Sequence, residues 1–220
     1  VDVVVAPAIQ PDFSAVASVN NICFGSTDGV IQITEVNNSI NPLTYSISVV
    51  SGGPYSGSID MTTLTYSGLP AGVYDITGEG TNGCTLTEQV TILENPDVTL
   101  GTSVTEFGCS TGNVTDNAVV NTTAGGGTGT YVRYVFVYDN GTPGDTSDDI
   151  TQDGTNTSFG VTNILGGSVE VTVFDSNGCI ATATETIAPF NAITDASVTV
   201  DKAIDCATGE DITINFTSVS

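Results

Sequence analysis

The chain has 220 residues, of which 39% are hydrophobic and 12% charged, and its 25 acidic residues face two cations and no histidine. The net charge of −23 disfavours nucleic acid and anionic lipid as partners, because both are bound through Lys and Arg. Without histidine there is no Ser-His-Asp or Cys-His catalysis and no imidazole metal site, so the chain is not expected to be an enzyme. No apolar run is long enough to insert into a membrane, which leaves cations, neutral glycans and basic proteins as the expected ligands.

Similar segments recur along the chain. The stretch "NNICFGSTDGVIQITEV" (20–36) matches "EFGCSTGNVTDNAVV" (106–120), and a third copy opens with "AIDCATGEDITINF" (203–216). A longer match joins 66–92 to 160–187, and both of these segments contain Asn-Gly-Cys. The copies begin roughly 90 residues apart, which indicates one small domain per repeat.

The local pattern within each repeat is that of β-strands. Apolar and polar residues alternate, and Asn-Gly before each cysteine predicts a tight hairpin. About seven short strands per repeat, separated by Gly-rich turns, predict an all-β fold of tandem immunoglobulin-like β-sandwich domains. The residues expected to share one face of a strand are Tyr45, Ile47 and Val49; Tyr134, Phe136 and Tyr138; Cys84, Leu86, Val90 and Ile92; and Cys179, Ala181, Ala183 and Ile187.

Proline-containing segments mark the predicted domain boundaries. The stretches "TILENPDVTLGTSV" and "TIAPFNAITDASV" resemble each other, and the chain opens with the similar "VVVAPAIQPDF". Proline ends a strand and stiffens the passage to the next domain. Residues 1–6 are therefore predicted to end a preceding repeat, 7–95 and 96–189 to form complete Ig-like repeats, and 190–220 to begin a third, truncated repeat.

The motifs "CFGSTDGVIQI", "GLPAGVYDI" and "TNGC" together resemble the SprB-type repeat of Bacteroidetes gliding adhesins and related giant cell-surface proteins. The resemblance covers nearly the whole chain, although "ILGGSVEV" replaces the Leu-Pro-Ala-Gly stretch in the second repeat. It implies an exported, extracellular protein, carried by type IX secretion and used for adhesion or gliding. The implied partners are neighbouring repeats of the same chain and surface polysaccharide or other surface proteins.

Five cysteines, Cys23, Cys84, Cys109, Cys179 and Cys206, predict disulfides in an exported chain, with buried free thiols as the alternative. Pairing within repeats, Cys23–Cys84 and Cys109–Cys179, is the simplest arrangement. However, Cys23 precedes the first turn and Cys84 follows the last, and these turns lie about 20 Å apart in an Ig topology, whereas a bridge needs Cα atoms within about 7 Å. The alternative joins Cys23 to Cys179 of the next repeat, and both pairings remain open. The partner of Cys206 is expected beyond the end of the sequence.

Two further features concern ligands. The acidic loop, "YDNGTPGDTSDDITQDG" (138–154), could supply oxygen ligands to Ca²⁺, the one cofactor considered, with an ordinary solvated hairpin tip as the alternative. Tyr131 is predicted to point outward as a stacking platform for a sugar, whereas the three later aromatic residues of its strand are predicted to pack in the core. The candidate calcium ligands are Asp139, Asp145, Asp148, Asp149 and Asp153.

These features together predict a structural segment of a long bacterial cell-surface adhesin or filament, which spaces and stiffens an extracellular stalk. Two alternatives remain. One is a repeated carbohydrate-binding module, whose affinity would rise through avidity. The other is a set of accessory repeats on a surface-anchored enzyme whose catalytic domain lies elsewhere.

Overall fold

The structure is a computed structural model that describes residues 8–36, 42–110, 114–202, 206 and 211–218. These residues form seventeen β-strands and no helix. The first repeat contains β1 (Phe13–Val19), β2 (Gly29–Glu35), β3 (Thr44–Gly52), β4 (Thr65–Leu69), β5 (Gly72–Glu79) and β6 (Thr85–Ile92). The second contains β7 (Val98–Thr105), β8 (Gly108–Ser110), β9 (Val114–Asp116), β10 (Ala118–Gly126), β11 (Tyr131–Tyr138), β12 (Ile150–Gly154), β13 (Ser158–Val161), β14 (Gly167–Asp175) and β15 (Ile180–Ile187). Two more strands follow, β16 (Ile193–Lys202) and β17 (Asp211–Ser218).

The first repeat is a sandwich of two three-stranded antiparallel sheets. Their orders are β1-β2-β4 and β3-β5-β6. In the immunoglobulin convention these are strands A-B-E facing C-F-G, so the predicted fold class is confirmed. Six strands are described in this repeat instead of the expected seven. The segment 53–64, which connects β3 to β4 of the other sheet, forms only an isolated β-bridge.

The core of the first repeat lies between these two sheets. Phe13, Ile31 and Tyr66 contribute from one sheet, and Tyr74 and Ile76 contribute from the other, all nearly or completely buried. Each such side chain stabilises the fold by about 1.5–3 kcal/mol through burial. Alternate residues point inward along each strand, which is why the period of two in the sequence identified these positions.

Packing at one core position requires glycine. A Cβ atom at Gly78 of β5 would lie 2.7 Å from the ring of Phe13, which itself packs edge-to-face on Tyr45 with ring centroids 5.3 Å apart. Any larger residue at position 78 would therefore displace Phe13 from the core.

The second repeat has the same layout with extra strands. Its sheets are ordered β13-β10-β7 and β12-β11-β14-β15, and β8 and β9 form a separate small hairpin. The predicted core residues of β11 are confirmed as buried: Tyr134, Phe136 and Tyr138. Phe136 stacks on Phe159 of the facing sheet with centroids 5.7 Å apart. The expectation of about seven strands was too low here, because the longer acidic loop leads into β12, which pairs with β11.

The last two strands form a two-stranded antiparallel sheet. Val198 lies opposite Ile214 and Val200 opposite Ile212, and all four side chains are exposed. The predicted ranges 7–95, 96–189 and 190–220 thus contain β1–β6, β7–β15 and β16–β17, respectively. The predicted tail 1–6 lies outside the described residues.

The chain divides into two compact units whose limits differ from those of the repeats. The first contains the described residues up to Thr99 together with Ala124–Val132 and Val173–Ala181. It therefore combines the first repeat with two turns of the second. The second unit contains Leu100–Thr123, Arg133–Thr172 and the described residues from Thr182 onward. Within the described part of the chain, no helix is long and apolar enough to span a membrane.

Candidate functional site

A disulfide joins Cys23 to Cys179, with the two Cα atoms 5.5 Å apart. Both cysteines lie in the first compact unit, but Cys23 belongs to the first repeat and Cys179 to the second. The bridge is therefore the one between repeats, and the within-repeat pairings Cys23–Cys84 and Cys109–Cys179 do not form. The cysteines of the described chain that keep free thiols are Cys84, which is half-buried, and Cys109 and Cys206, which are exposed.

The position of the Cys84 turn explains why it does not reach Cys23. Asn82 Nδ2 donates a 2.7 Å hydrogen bond to the carbonyl of Ile9, which places this turn beside the segment that enters β1. Cys23 follows the end of β1. The seven residues of β1 span about 23 Å, far beyond the reach of a disulfide.

The loop that carries Cys23 is fixed to the chain segment after β6. The backbone N–H of Asn21 donates to the carbonyl of Leu93 at 2.8 Å, and the N–H of Leu93 donates to Asn20 Oδ1 at 2.9 Å. Asn21 is buried, and its Oδ1 accepts from the N–H of Gly29 at 2.7 Å. The two asparagines therefore close the loop and attach it to the exit of the repeat.

The next residues of this exit segment continue the attachment. Glu94 Oε2 accepts from the N–H of Gly25 at 2.8 Å, and Asn95 Nδ2 donates to the carbonyl of Ile22 at 2.7 Å. Three consecutive residues, 93–95, are thus bonded to the loop around Cys23. The sequence predicted a stiff passage here from Pro96 alone, whereas the structure adds a set of hydrogen bonds.

Asp175 orients the turn that presents Cys179. Its side chain is fully buried, and its Oδ1 accepts from the N–H groups of Asn177 and Cys179, both at 2.9 Å. Oδ2 accepts from the N–H of Thr128 at 3.0 Å. Burial raises the pKa of Asp175, but the backbone N–H donors outweigh burial, and the pKa falls below its usual value. Sequence reasoning missed this residue, although "FDSNGC" differs from "GEGTNGC" at this position.

The Gly-rich stretch around Gly125 packs against the passage between the repeats. Gly127 donates its N–H to the carbonyls of Pro96 and Asp97, both at 3.2 Å. A Cβ at Gly127 would lie 2.7 Å from Asp175 Oδ2, so glycine is needed for this approach. The bridged sulfur of Cys179 lies 3.5 Å from the carbonyl oxygen of Ile22, a contact without a hydrogen bond because a disulfide sulfur carries no proton.

Two aspartates of the acidic loop, Asp139 and Asp148, accept hydrogen bonds from the loop itself and from the start of β14. Asp139 Oδ1 accepts from the N–H groups of Gly141 and Ser168 at 3.0 and 2.9 Å. Asp148 accepts from the hydroxyl of Thr142 at 2.8 and 2.9 Å. These carboxylates order the turn between β11 and β12 by capping its donors.

Two of the remaining aspartates, Asp145 and Asp153, have partners of their own, whereas Asp149 lies near Asp139. Hydrogen bonds from the hydroxyl and N–H of Ser147 lower the pKa of Asp145. Asp153 forms a bidentate ion pair with Arg133, with both N–O distances 2.7 Å, and these hydrogen bonds lower the pKa of Asp153. Asp149 lines an open cavity together with Asp139. In the described ranges, no group of three or more His, Cys, Asp or Glu is arranged to hold a metal ion.

Tyr131, the candidate sugar platform, is half-buried. Its hydroxyl donates a 2.9 Å hydrogen bond to the carbonyl of Gly126. The side chain thus braces the turn that contacts the passage between the repeats. The site defined by the structure is therefore a junction at which a disulfide and a set of hydrogen bonds join the first repeat to the second.

The fold and this junction define the class: an all-β protein of tandem immunoglobulin-like β-sandwiches, with a disulfide between successive repeats. No protein-family model matches the sequence, and no curated protein matches it. Among solved structures, the chain is similar to the three N-terminal domains of the bacteriophage RB49 Highly Immunogenic Outer Capsid protein (Hoc). That similarity has a TM-score of 0.43 at 16% sequence identity and covers 97% of this chain and 70% of the other.

Proposed function

We propose that this chain is a structural segment of a long bacterial cell-surface adhesin or filament of the SprB-repeat type, which spaces and stiffens an extracellular stalk. The observation that carries the proposal is the Cys23–Cys179 bridge between successive repeats. Two domains joined by one chain segment bend freely about it unless they share a large interface. A second covalent connection restricts that bending.

The hydrogen bonds of the exit segment support the same role. Residues 93–95 bond to the Cys23 loop, and Gly127 bonds to the carbonyls of Pro96 and Asp97. The passage between repeats is therefore bonded to both repeats along its length. A flexible linker has few such bonds, so this passage suits a stalk better than a hinge.

The chemistry of the chain fits an exported, non-enzymatic protein. Disulfides persist in oxidising compartments, which supports an extracellular location reached by secretion. The net charge of −23 favours solubility of the protein. We propose neighbouring repeats as the first partners, with surface polysaccharide or other surface proteins as the targets of the assembled adhesin.

The stiffening role is tested by measuring the junction directly. Nitroxide labels are placed at the exposed positions Ser48 and Thr151 through a bioorthogonal amino acid, and the distance distribution between them is recorded by electron double resonance. We expect the distribution of the Cys23→Ala/Cys179→Ala variant to be at least twice as broad as that of the wild type. Equal widths would contradict the stiffening role.

Location is tested separately on cells of the source organism. An antibody raised against the two complete repeats should bind intact, unpermeabilised cells. Binding only after permeabilisation would contradict a surface role, whatever the stiffness of the junction.

A further inference from the structure

The segment before Cys109 shares one attachment with the segment before Cys23. In the first repeat, Asn20 Oδ1 accepts from the N–H of Leu93 after the last strand. In the second, Glu106 Oε2 accepts from the N–H of Ala188 after its last strand, at 3.1 Å. Each acceptor lies at the same distance in sequence before its cysteine. The second repeat therefore reproduces one of the hydrogen bonds that attach the exit segment to the cysteine segment.

The surface at Cys109 is open. Phe107 packs edge-to-face on Phe190 with centroids 6.3 Å apart, where the first repeat has Asn21 and Asn95. A cavity of about 500 Å³ lies beside Phe190, with the exposed Cys109 at its wall. The other residues that line it are Thr115, Phe190, Asn191, Ala192 and Ile193.

The turn that carries Cys84 has the same backbone geometry as the turn that carries Cys179. Gly80 donates its N–H to the carbonyl of Cys84 at 2.9 Å, as Asp175 does to Cys179 at 2.9 Å. Gly83 and Gly178 both adopt positive φ, at 78° and 85°. The first repeat thus presents an Asn-Gly-Cys hairpin of the kind that, in the second repeat, is bonded to Cys23.

From these equivalences we propose that the surface formed by Glu106, Phe107, Cys109 and Phe190, here called the Cys109 surface, is a docking site for the Asn-Gly-Cys hairpin of a further repeat. A disulfide from Cys109 to the hairpin cysteine locks the docked state. The internal comparison carries the proposal, because the equivalent cysteine, Cys23, already holds such a hairpin. By the same argument, Cys84 is the hairpin cysteine that bonds to the equivalent of Cys23 in another repeat. The proposal rests on the tandem-array function proposed above.

The bond forms by thiol–disulfide exchange. The two thiols lose two protons and two electrons, and a small-molecule disulfide accepts them and leaves as two thiols. The contact is head-to-tail, since the two surfaces differ, and it can therefore extend from repeat to repeat without closing.

Shortened chains test this pairing. All buried core residues of the described chain lie between Phe13 and Ile187, so residues 8–190 retain both sandwiches and the bond from Asn82 to Ile9. Because this shortened chain lacks β16 and β17, the Cys109 surface is accessible to the hairpin of a second molecule. One version carries Cys84→Ala and keeps Cys109, the other carries Cys109→Ala and keeps Cys84, and both keep Cys23 and Cys179.

The two versions are mixed in a glutathione redox buffer, and the linked peptides are quantified by non-reducing mass spectrometry. We expect the Cys84–Cys109 dimer to exceed each homodimer at least tenfold, against about twofold for random pairing. Phe190→Ser in the Cys109 partner should bring the ratio back towards random, because it removes the aromatic wall of the docking site. Random pairing of the parent chains, or no covalent dimer, overturns the proposal.

A second experiment uses the full chain, so that the test does not depend on the folding of the shortened chains. Residues 124–189 are appended after Ser220, which supplies the third repeat with an Asn-Gly-Cys hairpin. We expect Cys109 to be linked to the appended cysteine, while Cys23–Cys179 stays intact, and a free Cys109 overturns the proposal. Both assays report which sulfurs pair, not stiffness. A stiff junction without these links therefore refutes only the docking site, and the links with a flexible junction refute only the stiffening role.

Discussion

Removal of the Cys23–Cys179 bridge is the most direct perturbation of the junction. In the variant Cys23→Ala/Cys179→Ala, small apolar side chains replace the half-cystines, so no polar group is left buried at Cys179, which is only 7% exposed. The hydrogen bonds of residues 93–95 and the buried Asp175 remain in place. The change therefore isolates the covalent link.

The magnitude follows from the separation of the two cysteines. They are 156 residues apart in sequence. On the chain-entropy model, a bridge that closes a loop of this length reduces the entropy of the unfolded chain by an amount equivalent to about 5 kcal/mol at 25 °C. The Cα separation of 5.5 Å lies in the ordinary range for disulfides, so no rearrangement of the backbone offsets this gain.

The assay is equilibrium unfolding in guanidinium chloride without reductant, followed by circular dichroism and by tyrosine fluorescence, since the chain has seven Tyr and no Trp. We expect the free energy of unfolding to fall by about 4–5 kcal/mol in the double variant. The matched control, Cys84→Ala/Cys109→Ala, removes two unbonded thiols and should change it by less than about 1 kcal/mol. Equal losses in the two variants, or a bridge variant as stable as the wild type, would refute the argument.

Four further outcomes are expected. Asp175→Asn should lower the free energy of unfolding by roughly 2 kcal/mol at pH 7, because a carboxylate bonded to three backbone N–H groups is replaced by a neutral amide. Since the folded-state pKa of Asp175 is lowered, its contribution is complete above the usual Asp value of about 3.9 and is lost as the pH falls through the lower folded-state pKa, so urea midpoints of variant and wild type should converge as the pH is lowered below that usual value. Burial raises the pKa of Tyr66 to about 12, and it also raises the pKa of Tyr45, Tyr55, Tyr74 and Tyr138, so absorbance at alkaline pH should show several late-titrating tyrosines, one fewer in Tyr66→Phe. The stability that neutral Tyr66 provides should be lost as the pH rises from about 10 to about 12. Arg133→Ala should cost less than about 1 kcal/mol, because its ion pair is exposed, and a loss above 2 kcal/mol in thermal unfolding would disagree. Millimolar Ca²⁺ should raise Tm no more than Mg²⁺ does, because four of the five candidate carboxylates cap donors or pair with arginine, whereas a calcium-specific rise of several degrees would show a bound ion.

The local pattern of the sequence was sufficient for the strands and their inward faces. Tyr134, Phe136 and Tyr138 alternate with other residues, and all three are buried, because successive side chains of a strand point to opposite faces. The glycine of each Asn-Gly-Cys turn adopts positive φ as expected. In both turns the asparagine keeps negative φ and only the glycine has positive φ. Each loop has three residues, and such loops place only their last residue in the left-handed region, unlike two-residue loops.

Long-range capping could not be predicted from the sequence. Asp175 is one of 25 acidic residues, and nothing in its own neighbours shows that Thr128 donates to it. The acidic loop has the composition of a calcium loop, but four of its five candidate carboxylates take separate partners, such as Arg133 for Asp153. A cluster in sequence becomes a cluster in space only if the loop wraps around a common point.

The sequence by itself determined the repeat, the all-β class and the set of five cysteines, because repetition and alternation are properties of neighbouring residues. Only the tertiary structure decided which cysteines meet. A disulfide needs two Cα atoms within about 7 Å, and that distance depends on which ends of the strands come together after packing. Cys84 is 61 residues from Cys23 and lies beyond the far end of β1, whereas Cys179, 156 residues away, lies beside it.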